Sequence, residues 1–176
     1  IGGIFVLETD DLIVGGTGVK TTGWNGPVVV RTSGGALTLN AEAAAHGTGN
    51  VLLAALGAGT DVVANADVKS GSGHVTVTGA RHVTFNAGAD LRTSGTGTVN
   101  VVAGTGSVTL SDTSLFTTGS GHLRVLGGVD VTLGGLSTTG NASVTATAGS
   151  ILDAGDTYVD VVAAQLRLVA GTGVGT

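Results

Sequence analysis

The sequence predicts a right-handed parallel β-helix, because one short phrase returns along the chain at a nearly constant spacing. The phrase is Gly-x-Gly-x-apolar-x-apolar, as in GSGHVTV at 71–77. Its first apolar residue recurs at Val28, Val51, Val75, Val99, Leu123 and Val144. The successive differences in residue number are 51−28=23, 75−51=24, 99−75=24, 123−99=24 and 144−123=21. Self-similarity at such a period is typical of solenoids, in which each repeat covers the apolar face of its neighbour.

The composition agrees with this fold and excludes several others. Glycine contributes 33 of the 176 residues, but Pro27 is the single proline and no Gly-X-Y register exists, so a collagen helix is excluded. Charged residues make up 11% and apolar residues 41%, which is too apolar for a disordered chain. No apolar run reaches the roughly 18 residues of a membrane helix, so membrane insertion is not expected. The glycine must lie in turns.

Each period contains three short strand candidates. The first set is 28–30, 51–53, 75–77, 99–101, 123–125 and 144–146; the second is 37–39, 62–64, 83–85, 108–110, 131–133 and 151–152; the third is 19–20, 68–69, 91–92, 115–116 and 136–137. Three strands and three turns account for six to seven coils of 21–25 residues, and 91–114 is one such coil. We expect right-handed winding, because parallel crossovers are overwhelmingly right-handed and the hexapeptide repeats of left-handed forms are absent.

Alternation of apolar and polar residues assigns the two faces of these strands. Twelve aliphatic or aromatic residues are predicted to point inward: Val75, Val77, Val83, Phe85, Val99, Val101, Val108, Leu110, Leu123, Val125, Val131 and Leu133. Six are predicted to point outward: Thr76, Thr84, Asn100, Thr109, Arg124 and Thr132.

Asparagine follows the second strand in three successive coils. Asn40, Asn65 and Asn86 would stack at one corner, where we expect an amide ladder that satisfies backbone groups at an inward turn. This role is structural.

The chain forms one predicted domain over 1–176, interpreted as a piece of a longer β-helix. Residues 1–18 have poor strand register. Within 151–176 the spacing is compressed, since Leu166 follows Ile151 at an interval of only 166−151=15. We therefore expect less regular coils at both ends.

The histidines do not predict a metal site. His74 and His122 occupy the same place two coils apart, about 10 Å, with Thr98 between them, so they are interpreted as exposed turn residues. His46 and His82 have no better partners. The chain has no cysteine, which excludes disulfides, thiolate zinc sites and cysteine nucleophiles.

The acidic residues predict neither calcium binding nor catalysis. Asp10, Asp11, Asp153, Asp156 and Asp160 form the nearest clusters, but the calcium-binding nonapeptide GGxGxDxUx is absent. Solvated turn aspartates are the default, and calcium at Asp153 and Asp156 stays an open alternative. No metal or other cofactor is predicted.

A β-helical enzyme acting on acidic polysaccharides is the main rival function. Such sites need converging carboxylates and basic residues, whereas Lys and Arg occur here about once per coil. The stacking residues Trp24 and Tyr158 lie about five coils apart. No catalytic sequence motif is present, and the seven basic residues form no stripe for nucleic acid. The sequence therefore predicts no enzyme and no nucleic-acid partner.

The last segment, ILDAG followed by VDVVAAQLRLVAGTGVGT within 151–176, resembles the repeat regions of very large secreted bacterial surface proteins of the filamentous-haemagglutinin and giant-adhesin kind. The resemblance implies an adhesive or structural stalk outside the bacterial cell, with no catalytic residues. Its partners would be neighbouring repeats of the same parent chain, further copies through self-association, or host and cell-surface glycans. A carbohydrate-binding or polysaccharide-degrading β-helix remains the alternative.

Overall fold

The computed structural model describes residues 2–155 and 157–175 of the 176-residue chain. Within these ranges the regular secondary structure consists of 22 strands that form three parallel sheets. Each turn of the chain adds one strand to each sheet, which gives a parallel β-helix of about seven turns. The predicted fold class is confirmed.

The strands follow one another in chain order within each sheet. Sheet A contains β1 (Ile4–Glu8), β4 (Val28–Thr32), β7 (Val51–Ala55), β10 (Val75–Gly79), β13 (Val99–Ala103), β16 (Leu123–Gly127), β19 (Asn141–Ala146) and β22 (Gln165–Ala170). Sheet B contains β2 (Leu12–Val14), β5 (Leu37–Leu39), β8 (Val62–Ala64), β11 (Val83–Phe85), β14 (Val108–Leu110), β17 (Val131–Leu133) and β20 (Ile151–Asp153). Sheet C contains β3 (Val19–Lys20), β6 (Ala43–Ala45), β9 (Val68–Ser70), β12 (Leu91–Arg92), β15 (Leu115–Thr117), β18 (Gly135–Ser137) and β21 (Val161–Val162).

Strand β6 is absent from the predicted set. Its sequence is Ala43-Ala44-Ala45, and alanine has little preference for strands. Pairing with β3 below and β9 above imposes the extended conformation, and Ala43 and Ala45 are buried between those strands.

The core is a single column of apolar side chains that runs the length of the solenoid. All twelve residues predicted to point inward are buried, and all six predicted to point outward are partly or fully exposed. The two largest buried side chains are Phe85 and Phe116, whose rings meet edge to face with centroids 4.7 Å apart. Period-two alternation therefore assigns the faces of these strands correctly.

Buried hydroxyl groups occupy the inner corner between sheets C and A. Ser70, Thr93, Thr118 and Thr138 succeed one another along this corner. Each donates to a glycine carbonyl; for example, Thr93 Oγ1 donates to Gly73 O at 2.6 Å. Among the described residues no buried side-chain nitrogen or oxygen lacks a hydrogen-bond partner. The polar atoms of this corner are thus fully satisfied.

The second glycine of the repeated phrase stacks in the same corner. Gly49, Gly73, Gly97 and Gly121 lie in successive coils, and a Cβ built on Gly97 would stand only 2.5 Å from Gly73 O. Real Cβ atoms do not approach a carbonyl oxygen so closely. The Gly-x-Gly phrase is therefore repeated because adjacent coils touch backbone to backbone at this corner.

One register prediction was wrong. The sequence aligns Val144 with Leu123, but Leu123 pairs with Ala142, an interval of only 142−123=19, and Val144 pairs with Val125. We call this turn, from Leu123 to Ala142, the short coil. Much of its contraction lies between sheets B and C, where only Gly134 and Gly135 separate Leu133 from Leu136.

The two ends keep the common register, contrary to the expectation of irregular coils there. Ile4 pairs with Val28 and Ala142 pairs with Leu166, at intervals of 28−4=24 and 166−142=24. The 15 residues from Ile151 to Leu166 join a strand of sheet B to the next strand of sheet A, and the same step from Val108 to Leu123 is also 123−108=15, so the spacing is not compressed. At the end of sheet A, Leu166 and Leu168 are exposed, because no further described strand covers them.

Candidate functional site

Many polar side chains at the corners bond to the backbone of the next coil. At the corner that directly precedes the strands of sheet A, Asn50 Oδ1 accepts a hydrogen bond from the His74 N–H at 2.8 Å. His74 Nδ1 in turn accepts one from the Thr98 N–H at 3.2 Å. His122 Nδ1 accepts from the Asn141 N–H at 3.3 Å. The two histidines are exposed, as predicted, and Thr98 separates them. Their ring nitrogens hold adjacent coils together.

The corner in front of sheet B repeats this arrangement. Asp61 Oδ1 accepts from the His82 N–H at 3.0 Å, and His82 Nδ1 accepts from the Ser107 N–H at 2.9 Å. Asp130 Oδ1 accepts from the Ser150 N–H at 2.8 Å. Any residue with a short acceptor side chain can serve here, which explains why Asp, His and Ser alternate at one position.

The corner in front of sheet C adds charge to the same pattern. Asp67 Oδ1 accepts from the Asp90 N–H at 3.0 Å. Lys69 Nζ lies 2.8 Å from a carboxylate oxygen of both Glu42 and Asp67, and Lys20 Nζ lies 3.1 Å from Glu42. Arg92 also forms an ion pair with Asp90. This edge therefore carries three carboxylates and three cations: Glu42, Asp67 and Asp90 with Lys20, Lys69 and Arg92. The edge has no net charge, and each of its carboxylates forms an ion pair.

Three of these carboxyl groups have lowered pKa values. The hydrogen bond from Lys69 lowers the pKa of Glu42, and the hydrogen bond from Arg81 lowers that of Asp61. At Asp67 partial burial acts to raise the pKa, but hydrogen bonds from Lys69 and from the Asp90 N–H outweigh it, so the pKa is also lowered. All three groups favour the ionised form, which is unsuited to a general acid.

These lowered pKa values predict a loss of stability in acid. A carboxyl group whose pKa is lower in the folded state stabilises the fold above its unfolded pKa of about 4, and this contribution disappears as the pH falls through the folded value. We expect the urea midpoint to fall between about pH 5 and pH 3.

The Asp61→Asn variant provides the control for this pH dependence. It keeps an acceptor for the His82 N–H but removes the titrating group beside Arg81. Its stability should change less with pH than that of the parent chain. Identical pH profiles for the two proteins would contradict the assignment to Asp61.

The predicted asparagine ladder is present, but it faces outward. Asn65 Nδ2 donates to Asn40 Oδ1 at 2.7 Å, and Asn86 Nδ2 donates to Asn65 Oδ1 at 2.6 Å. All three residues are exposed, so the prediction of an inward turn was wrong. The amides bond to one another because stacked coils place identical side chains one strand spacing apart.

The remaining candidates do not come together. Trp24 lies between β3 and β4 and Tyr158 between β20 and β21, at opposite ends of the solenoid. Asp11 Oδ1 accepts from the Ala36 N–H at 2.7 Å, and Asp153 accepts from the Gly155 N–H at 2.9 Å. Asp156, the second half of the calcium alternative, lies outside the described residues.

Two features are absent from the described ranges. Over residues 2–155 and 157–175, no three His, Cys, Asp or Glu side chains are grouped so that they could hold a metal ion. The same part of the chain contains no helix that is long and apolar enough to cross a membrane.

One groove on the surface of sheet A combines cations with neutral polar groups. It has a volume of about 440 Å³ and is lined by residues 122–124, 141–143 and 165–167, three segments that are adjacent in the sheet. Leu123 and Ala142 are buried, so the side chains on either side of them point outward. We call this site the sheet A groove.

Two parallel files of side chains border the sheet A groove. One file is His122, Asn141 and Gln165; the other is Arg124, Ser143 and Arg167. Sequence reasoning placed Arg124 outward but missed its relation to Arg167. The two arginines are far apart in the chain, and the pairing of β16, β19 and β22 brings them into one file.

No protein-family model, no curated protein and no solved structure matches the chain.

Proposed function

We propose that the chain is a structural stalk segment of a bacterial cell-surface or filament protein, in which the length of the solenoid is the function. The observation that carries the proposal is the use made of the polar side chains. At all three corners they bond to the next coil, as Asn50, Asp61 and Asp67 do. They stabilise the stack and leave few groups to act on a substrate.

Interchangeable coils support the same proposal. Between Val51 and Leu123 the sheet A register advances by the same interval in three successive steps, 75−51=24, 99−75=24 and 123−99=24. A unit that is repeated without change in length extends a rod by about 4.8 Å per coil. The likeness of 151–176 to the repeats of filamentous-haemagglutinin-like adhesins adds the expectation of an extracellular location.

Deleting residues 75–98 tests whether a coil is a spacer. The deletion removes β10, β11 and β12 and places Val99 where Val75 paired with Val51. Because every later strand keeps its face, we expect a folded rod whose maximum dimension in small-angle X-ray scattering is shorter by about 5 Å.

Deleting 91–114 provides the matched control of equal length. Leu91 pairs with Phe116, so this deletion places the exposed Leu115 at an inward position and turns Phe116 outward. The boundaries 91–114 inferred from the sequence therefore do not enclose a whole coil. We expect a lower urea midpoint for this variant. Unfolding after deletion of 75–98, or equal stability of the two variants, would contradict the spacer proposal.

A further inference from the structure

The sheet A groove contains two of the three cations that form no ion pair with a described residue. Lys20, Lys69, Arg81 and Arg92 each form an ion pair. The other three basic residues, Arg31, Arg124 and Arg167, form no ion pair with any described residue, and all three lie on the outward face of sheet A. Two of these three arginines border the groove.

Sheet A also lacks carboxylates over most of its length. From β4 to β22 no strand of this sheet contains Asp or Glu, although the chain has 12 acidic residues and a net charge of −5. Among the described residues, the acidic side chains lie in the corners, apart from Glu8 at the end of β1 and Asp153 in β20 of sheet B. The groove is thus a positive site on a negative molecule, which favours an anionic ligand.

The arrangement of the two arginines suits a ligand with more than one negative charge. Arg124 and Arg167 flank Ser143 in one file, so their backbones are about 10 Å apart. Arg124 Nη1 donates to Asn100 Oδ1 at 2.8 Å, which holds this side chain in place and leaves further guanidinium N–H groups for an anion. Guanidinium groups bind carboxylates with paired hydrogen bonds.

The second file supplies neutral groups that recognise hydroxyls. Because His122 Nδ1 accepts from the Asn141 N–H, the neutral ring carries its proton on Nε2, where it can donate to a ligand. The amides of Asn141 and Gln165 add both donors and acceptors. No Phe, Tyr or Trp side chain lines the groove, so the large aromatic face on which a neutral sugar stacks is not provided.

We propose that the sheet A groove binds an acidic oligosaccharide, with the carboxylates of two uronate units at Arg124 and Arg167 and the sugar hydroxyls at His122, Asn141 and Gln165. This binding function is separate from the spacer role and does not depend on it. The ligand lies across the strands, along the direction in which the coils stack.

Isothermal titration calorimetry with a short galacturonate oligomer tests the proposal on the full chain. We expect saturable binding that weakens as salt is added, and no binding of the fully methyl-esterified oligomer. Arg124→Gln and Arg167→Gln should each weaken binding about tenfold or more, since each removes a charge-assisted contact.

Arg31→Gln is the matched control. This residue is also an arginine without an ion pair on the outward face of sheet A, but it lies outside the groove. It should leave the affinity unchanged, and circular dichroism should show all three variants folded. If Arg31→Gln weakened binding as much as the two groove variants, the effect would reflect the general positive charge of sheet A, and the assignment of the site would be wrong.

Two further probes separate the acidic saccharide from other anions. Inorganic phosphate should bind at least tenfold more weakly, because it can reach only one arginine at a time. A short oligothymidylate that binds as tightly as the galacturonate oligomer would overturn the saccharide assignment. Absence of binding by the galacturonate oligomer would overturn the proposal itself, and a spacer function would be unaffected.

Discussion

Val101→Asp is expected to unfold the central coils of the solenoid. Val101 is completely buried in β13 and stacks between Val77 and Val125 in the adjoining strands. A carboxylate there would have neither water nor a cation, and burial of an unpaired charge is among the few single changes that cost more than about 4 kcal/mol. Because natural domains are stable by only about 5–15 kcal/mol, urea denaturation should show a large fall in midpoint.

Asn100→Asp is the matched control for this variant. Asn100 is the preceding residue on the same strand, it is partly exposed, and its Oδ1 accepts from Arg124 Nη1. A carboxylate keeps this interaction, so the free energy of unfolding should change by less than about 0.5 kcal/mol. If both variants lost the same stability, the assignment of the two faces of β13 would be wrong.

Gly97→Ala is the second change with a large expected effect. The new methyl group would lie 2.5 Å from Gly73 O and would also meet the buried hydroxyl of Thr93, which donates to that same oxygen. The backbone of two coils must separate to admit it, and overpacking of this kind costs about 2–3 kcal/mol. Urea denaturation measures the loss, and hydrogen exchange should locate it in the coils on either side of residue 97.

Gly15→Ala is the control at a glycine with space around it. A Cβ on Gly15 meets nothing within 4 Å, and this glycine does not have a positive φ. The substitution should be neutral or stabilise slightly, since alanine restricts the unfolded chain. A comparable loss at both positions would show that contact between coils is not what requires Gly97.

The faces of the strands follow directly from the sequence, because they depend only on whether two residues are an even or an odd number of positions apart. The sequence aligns Leu123 with Val144 instead of Ala142, yet Val144 and Ala142 are both buried, so the misaligned residue still lies on the inner face. A register slip of two residues leaves every side chain on its original face, whereas a slip of one would reverse them all. The alternation of apolar residues is therefore a stronger guide to faces than to alignment.

The sheet A groove could not be predicted in the same way. Arg124 and Arg167 occur in similar short phrases, HLRV and QLRL, but neighbouring sequence does not place them in one file. Their relation depends on a coil that contracts at several corners, and corner lengths have no periodic signal. Strand β6 was missed for a different reason, since three alanines carry no strand signal of their own.

The short coil has a consequence for how such a molecule can change. It is shortened at its corners, while the strands on both sides keep their pairing, so the coil that follows it returns to the usual length. The strand that follows the contraction, β19, carries Asn141 and Ser143, the small polar residues of the two files. A corner can thus lose residues without disturbing the hydrophobic interior or the pairing of the strands on either side. One coil of a solenoid can therefore change in length, at any height, while the coils on either side continue unchanged.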